Sequence, residues 1–155
     1  MRIDLLEDDP DQAEMISHWL TEEGHDVRWY RSGGDMTRAL HRDVPDVLLL
    51  DWVLPESSGM DVLTWVRQSF LGRIPVVFIT AQDSEEHVVA ALQAGADDYL
   101  VKPPRRRELL ARLCIPFEVV APQVDETGLA GELPAAQVKY DLSHTFFELG
   151  FYTRV

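Results

Sequence analysis

At 155 residues, with 14 Lys+Arg against 27 Asp+Glu and a formal net charge of −13, the chain suits one domain with an appendage. Its charge repels phosphate backbones and argues against nucleic-acid binding by this piece, its 46% hydrophobic content excludes wholesale disorder, and its one cysteine, Cys114, excludes an intrachain disulfide framework. No aliphatic run spans a bilayer and the opening MRIDLLEDDP holds no signal-peptide core, so the expectation is a cytoplasmic domain without membrane contact.

The first β-rich run is Ile3–Leu6, followed by an amphipathic stretch over residues 10–22. Asp9 is placed as N-cap of that helix, with Pro10 at its first position and Gln12 set for a capping box. Ala13, Ile16 and Leu20 fall on one face, beside Trp19, and read as core. Val27–Tyr30 is the second strand and residues 35–42 the second helix. Val47–Leu50 and Ile74–Thr80, separated by a helix over 60–70, contain the nearly continuous apolar runs of strands buried on both faces. A helix over 84–94 follows, capped at Asp83 with Glu86 behind it and closed by Gly95. Tyr99–Val101 and a helix over 105–114 complete the alternation. Strands separated by helices of this length predict an α/β fold, a doubly wound parallel sheet with right-handed crossovers.

In such a sheet ligands bind beyond the carboxyl ends of the strands. Those ends carry Glu7, Asp8 and Asp9 after the first strand, Asp51 after the third, Thr80 at the fourth and Lys102 after the fifth. The first βα turn, EDDPD, is the opposite of a glycine-rich phosphate cradle, which excludes nucleotide and flavin binding there. Asp9 is explained by capping alone. Converging carboxylates instead ask for a hard divalent cation, and a site this small suits Mg²⁺. With the cation bound, Asp51 is the natural nucleophile, while Lys102 and the Thr80 hydroxyl meet phosphoryl oxygens, the equipment of phosphoryl transfer.

The segments LLEDDP, DVLLLDWVLPESSGMD, PVVFITA and GADDYLVKP stand in order over residues 1–114, with Pro55 and Gly59 four and eight residues after Asp51. In these motifs the chain resembles the receiver domain of two-component response regulators. The resemblance implies a five-stranded sheet of order 2-1-3-4-5, the flavodoxin-like receiver fold. It implies Glu7, Asp8, Asp51 and the Val53 carbonyl as Mg²⁺ ligands, and Asp51 as the acceptor of a phosphoryl group from a sensor histidine kinase. Thr80 and Tyr99 would be a switch pair, in which Thr80 moves inward and Tyr99 rotates from exposed to buried, and the Lys102–Pro103 bond would be cis. No enzymatic activity beyond self-phosphorylation and slow autodephosphorylation is implied. Val53 and Gln82 should influence the lifetime of the phosphoryl group.

The rest of the chain refines this reading. Val53 lacks the acid that a haloacid-dehalogenase-type phosphatase needs two residues after its nucleophile. The histidines show no ligand spacing, Trp52 reads as a partly exposed neighbour without a catalytic role, and Arg105–Arg107 reads as a solvated helix start, with an anion patch as the alternative. GADDYLVKP and ELLARL are similar to the OmpR/PhoB subfamily of transcription factors, which implies a homodimer through the helix 4–strand 5–helix 5 face with Asp98, Glu108 and Arg112 in cross-dimer ion pairs. Val88, Pro104 and Pro116 depart from that subfamily's pattern. The expected organisation is a receiver over 1–115, a linker over 116–137 and a β-hairpin extension over 138–155 that resembles the start of a winged-helix output domain. Residues 115–155, with two basic and six acidic side chains, fit DNA binding poorly, so DNA would be reached only through an output domain absent from the chain. The alternatives are a stand-alone receiver that signals by protein–protein contact and an interaction module that is never phosphorylated.

Overall fold

The apolar runs are strands because each must bury both faces. In the computed structural model, which describes residues 1–70 and 74–114, β1 (Arg2–Leu6), β2 (Asp26–Tyr30), β3 (Val47–Leu50), β4 (Val76–Thr80) and β5 (Asp98–Val101) form one parallel sheet of order β2-β1-β3-β4-β5. Between them run α1 (Pro10–Glu22), α2 (Gly33–Leu40), α3 (Gly59–Ser69), α4 (Glu85–Gln93) and α5 (Arg106–Leu113). This is the flavodoxin-like topology expected, and none of the described helices is long and apolar enough to cross a membrane.

The strand period of two divides the core in two. Leu6, Leu48, Leu50, Val76 and Phe78 face α2, α3 and α4, where they meet Met36, Leu40, Val62, Leu63, Val66 and Ala91. Ile3, Leu5, Val47, Leu49, Val77 and Ile79 face α1 and α5, meeting Ala13, Ile16, Leu20, Leu109 and Leu113. Truncating a fully buried side chain such as Leu50 to alanine costs about 2–5 kcal/mol by lost transfer energy and cavity formation.

Local signals set the boundaries, and some differ from the sequence-based expectation. Asp9 caps α1 through the N–H groups of Asp11 and Gln12. The Gln12 side chain donates to the Asp9 carboxylate, and it is Glu7 Oε1 that accepts the Asp9 N–H, at 3.2 Å. The expected capping box is therefore replaced by a bond from the site itself. At α4 the cap is Ser84, whose hydroxyl accepts the His87 N–H, and not Asp83. Ser32 and Ser58 cap α2 and α3, the latter in a full capping box with Asp61, so α2 begins two residues earlier than its apolar pattern indicated. Ile74 is buried but lies outside β4, because Pro75 follows it and has no N–H for the ladder. Gly95, at φ 103°, turns the chain out of α4 in the left-handed region, as expected of a helix-closing glycine.

One tie was not foreseen. Arg67 on α3 donates to the carbonyls of Gly95 and Ile74 and to Asp97 Oδ2, at 2.7–3.0 Å. The same Asp97 oxygen accepts the Val76 N–H at 2.8 Å, so one cation and one carboxylate join α3, the start of β4 and the turn into β5. The expected linker over 116–137, with Pro116, and the hairpin over 138–155 lie outside the described residues.

Candidate phosphoryl-acceptor site

The site forms where β1, β3, β4 and β5 end side by side. Glu7 continues β1 by one residue, its N–H donating to the Tyr30 carbonyl at 3.0 Å, and Asp51 continues β3 through the Leu6 carbonyl at 2.9 Å. Thr80 ends β4, and the Lys102 N–H donates to its carbonyl at 2.8 Å. Parallel pairing thus aligns, at one edge, residues far apart in sequence.

Glu7, Asp51 and Thr80 are buried, while Asp8 is half-buried. Lys102 Nζ lies 2.6 Å from Asp51 Oδ2 and 2.6 Å from Glu7 Oε2. Burial pulls the Lys102 ammonium down, but the hydrogen bonds and charges of the two carboxylates more than offset it, so its proton is held more tightly than in water. Burial pushes the Glu7 carboxyl up, with Lys102 pulling the other way. The Asp51 Oδ1 atom accepts a long bond, 3.3 Å, from the Val53 N–H. Val53 is fixed in turn by an isolated antiparallel bridge to Ser58.

Glu7, Asp8 and Asp51 each offer a carboxylate oxygen, all within 4.8 Å of one another. Three carboxylates against one ammonium leave the pocket negative, and its donors are all hard oxygens, a set that fits Mg²⁺ retaining part of its water shell. The three expected carboxylates therefore lie together, with the expected lysine against two of them.

The expected switch residues lie on the same edge. Thr80 Oγ1 accepts the Gln82 N–H at 3.4 Å, and the Tyr99 hydroxyl donates to the Gln82 carbonyl at 2.6 Å. Tyr99 packs on Phe78 and is only 3% exposed, so it occupies the buried one of its two expected positions. Trp52 is half-buried between Phe78 and His87, meeting the His87 ring edge-on at 5.2 Å between centroids. The Ser84 hydroxyl holds the other side of His87, 2.6 Å from Nδ1. This Trp52–His87–Ser84 contact escaped the sequence reading, because a lone histidine without ligand spacing carries no signal by itself.

Away from the site, Arg112 Nη1 reaches both Asp98 carboxylate oxygens at 2.7 and 2.8 Å, and Nη2 reaches Glu108 at 3.2 Å. The three residues expected in cross-dimer pairs are thus brought together within one chain. Of the run Arg105–Arg107 at the start of α5, Arg106 is bound to Glu22 at the end of α1 and to Glu23, its C-cap, at 2.9 and 3.0 Å, a tie between helices in place of a merely solvated charge.

Comparison with known proteins identifies the family. The profile of the response regulator receiver domain family matches residues 3–114. Among solved structures, the BeF3-activated N-terminal receiver domain of RstA from Klebsiella pneumoniae is similar at 34% identity and TM-score 0.68, over 73% of this chain and 95% of that one. A chain assigned as a response regulator from Chloroflexus aurantiacus J-10-fl is similar at 34% identity and TM-score 0.69, over 72% and 93%. The receiver domain of a signal transduction histidine kinase from Syntrophus aciditrophicus is similar at 33% identity and TM-score 0.66, over 72% and 86%.

Proposed function

The chain belongs to the response regulator receiver domain family, and on that premise we propose that it is a phosphorylation-driven switch that accepts a phosphoryl group onto Asp51 from a sensor histidine kinase. The observation that carries the proposal is the bond from Lys102 Nζ to Asp51 Oδ2 at 2.6 Å, in a pocket that also gathers Glu7 and Asp8. Glu7, Asp8, Asp51 and the Val53 carbonyl would hold Mg²⁺, which when bound supplies charge neutralisation for the approaching phosphoryl group.

Asp51 needs no base, because its carboxylate is already the nucleophile. Its oxygen forms a bond to phosphorus as the phosphorus–nitrogen bond of the donor histidine breaks, and the imidazole leaves as the neutral base, carrying the proton already on its other ring nitrogen. Lys102 then exchanges part of its contact with Asp51 for a phosphoryl oxygen, keeping a cation beside the new charge. The Thr80 hydroxyl accepts from Gln82 and so retains its own proton to donate to another oxygen. Because Tyr99 is bonded to the Gln82 carbonyl, movement of Thr80 reaches Tyr99 through one residue. That linkage supports a two-position switch governed by differential stabilisation of a few kcal/mol. The reaction is self-modification followed by slow hydrolysis, so the chain is not an enzyme towards other substrates.

The output reading is that of a cytoplasmic regulator of the OmpR/PhoB-like subfamily, acting on transcription through a DNA-binding domain outside the described residues. A homodimer through α4, β5 and α5 is supported by Val89 and Val101, which leave 43% and 40% of their surface exposed there. In a dimer, Asp98, Glu108 and Arg112 would exchange some of their pairs within the chain for pairs across the interface.

Intact mass spectrometry of the chain with Mg²⁺ and acetyl phosphate, beside Asp51→Ala, tests the chemistry. A metal-dependent gain of one phosphoryl group, absent in the variant, is expected. No gain in a folded protein that binds Mg²⁺ would sink the mechanism and favour an interaction module.

A further inference from the structure

We propose that Trp29 is a positioning residue for the metal-binding turn, holding Glu7 and Asp8 in place through a side-chain hydrogen bond to the backbone. The Trp29 indole Nε1 donates to the Glu7 carbonyl at 2.7 Å.

The bond sits where the sheet runs out. The β1–β2 ladder ends at the pair Leu6–Tyr30, and the Glu7 N–H takes the Tyr30 carbonyl as its last rung. In a continuing parallel ladder the N–H of residue 32 would take the Glu7 carbonyl. Ser32 is instead the N-cap of α2, so the chain has turned away and the indole supplies the missing donor. Glu7 is then held on both sides by β2, through its N–H and through its carbonyl. Arg31 reinforces the arrangement: its guanidinium lies 6.0 Å from the Trp29 ring centroid, and Nη2 approaches the Asp8 carbonyl at 3.5 Å. The carbonyls of two successive metal-ligand candidates are therefore met by two side chains of one β2 end.

A core-filling role does not explain Trp29, which leaves 41% of its surface exposed. The cost of fixing Glu7 and Asp8 is met in the folded chain before a cation arrives, which is how residues behind a metal's ligands raise its affinity.

This inference rests on the reading of Glu7, Asp8 and Asp51 as a divalent-cation site. Its test is Mg²⁺ titration calorimetry of wild type, Trp29→Phe and Asp51→Asn, with thermal melts in metal-free buffer. Phenylalanine keeps a ring over Arg31 and removes only the N–H. Trp29→Phe is expected to bind Mg²⁺ about fivefold more weakly, an effect in the range of one hydrogen bond, in a chain that still melts cooperatively in metal-free buffer. Equal affinity in wild type and Trp29→Phe, with Asp51→Asn impaired, would overturn the role of Trp29 and leave the cation site standing. Weaker binding in a chain that has lost its cooperative metal-free melt would make Trp29 merely structural and also overturn it. Wild type that takes up Mg²⁺ no better than Asp51→Asn would remove the cation site, and this inference with it.

Discussion

Gly59 stands so close to Asp51 that a Cβ built on it would lie 2.1 Å from the Asp51 carbonyl oxygen and 3.0 Å from the Phe78 ring. The same glycine donates its N–H to the Trp52 carbonyl at 2.9 Å, closing the loop that follows Asp51. The start of α3 and the end of β3 can share this space only because residue 59 has no side chain. Gly59→Ala must move backbone, not merely a flexible side chain, and overpacking of this kind costs about 1–3 kcal/mol or more. Urea unfolding of the variant should show that loss, and its phosphorylation should slow because Asp51 is displaced.

Lys102 is the one cation touching both Glu7 and Asp51 among the described residues. Lys102→Met leaves those carboxylates facing each other, which should tighten Mg²⁺ binding while slowing phosphoryl transfer by about 10²–10³, the usual cost of losing one charge-stabilising donor. Calorimetry and a phosphorylation time course at saturating Mg²⁺ separate the two effects. Parallel losses of affinity and rate would contradict the assigned role.

Burial, together with the charges of Asp51 and Asp83, pushes the Tyr99 phenol up to about 12 from its ordinary value of 10.0. The folded state therefore keeps a proton that the unfolded chain releases. The Tyr99 contribution is fully present below pH 10 and is lost as pH rises through about 12. Stability measured across that window should fall more steeply in wild type than in Tyr99→Phe. Equal slopes would mean that the phenol is not held in its buried position.

Arg67 and Asp97 lie outside the acid pocket. Arg67→Met removes the Arg67 bonds to Asp97 and to the Gly95 and Ile74 carbonyls while Asp97 Oδ2 keeps the Val76 N–H, and the expected loss is about 1–3 kcal/mol, the scale of buried groups losing a hydrogen-bond partner. Folded Arg67→Met protein should still take a phosphoryl group on Asp51 under native conditions, as intact mass would report.

What the sequence made legible follows from which physics is local. The four-residue run Val47–Leu50 and the punctuation by proline and glycine identify strands and helices because burial and backbone freedom act residue by residue. Glu7, Asp51, Thr80 and Lys102 were readable as a site because strand ends in a parallel sheet meet at one edge. The subtler pieces depend on contacts made only after folding. Nothing near Arg67 in sequence names Gly95 as its partner, 28 residues away. Nothing near Trp29 signals that its indole replaces a rung at Glu7, 22 residues earlier. Ser32, Ser58 and Ser84 did carry a signal as N-cap residues, and weighing them ahead of the apolar pattern would have placed the starts of α2 and α4 correctly.

The strand order also has a consequence for how the chain acquires its chemistry as it is synthesised. β1 is made first yet lies inside the sheet, and it must wait for both β2 and β3 before both of its edges are covered. β5 is made last, and with it comes Lys102, the charge that reconciles the Glu7 and Asp51 carboxylates. A nascent chain that has not yet delivered β5 holds two acidic groups in a half-built apolar setting with nothing to balance them. The charge that balances Glu7 and Asp51 thus follows directly on the last strand of the sheet, so the acid pocket is neutralised only as the sheet itself is closed.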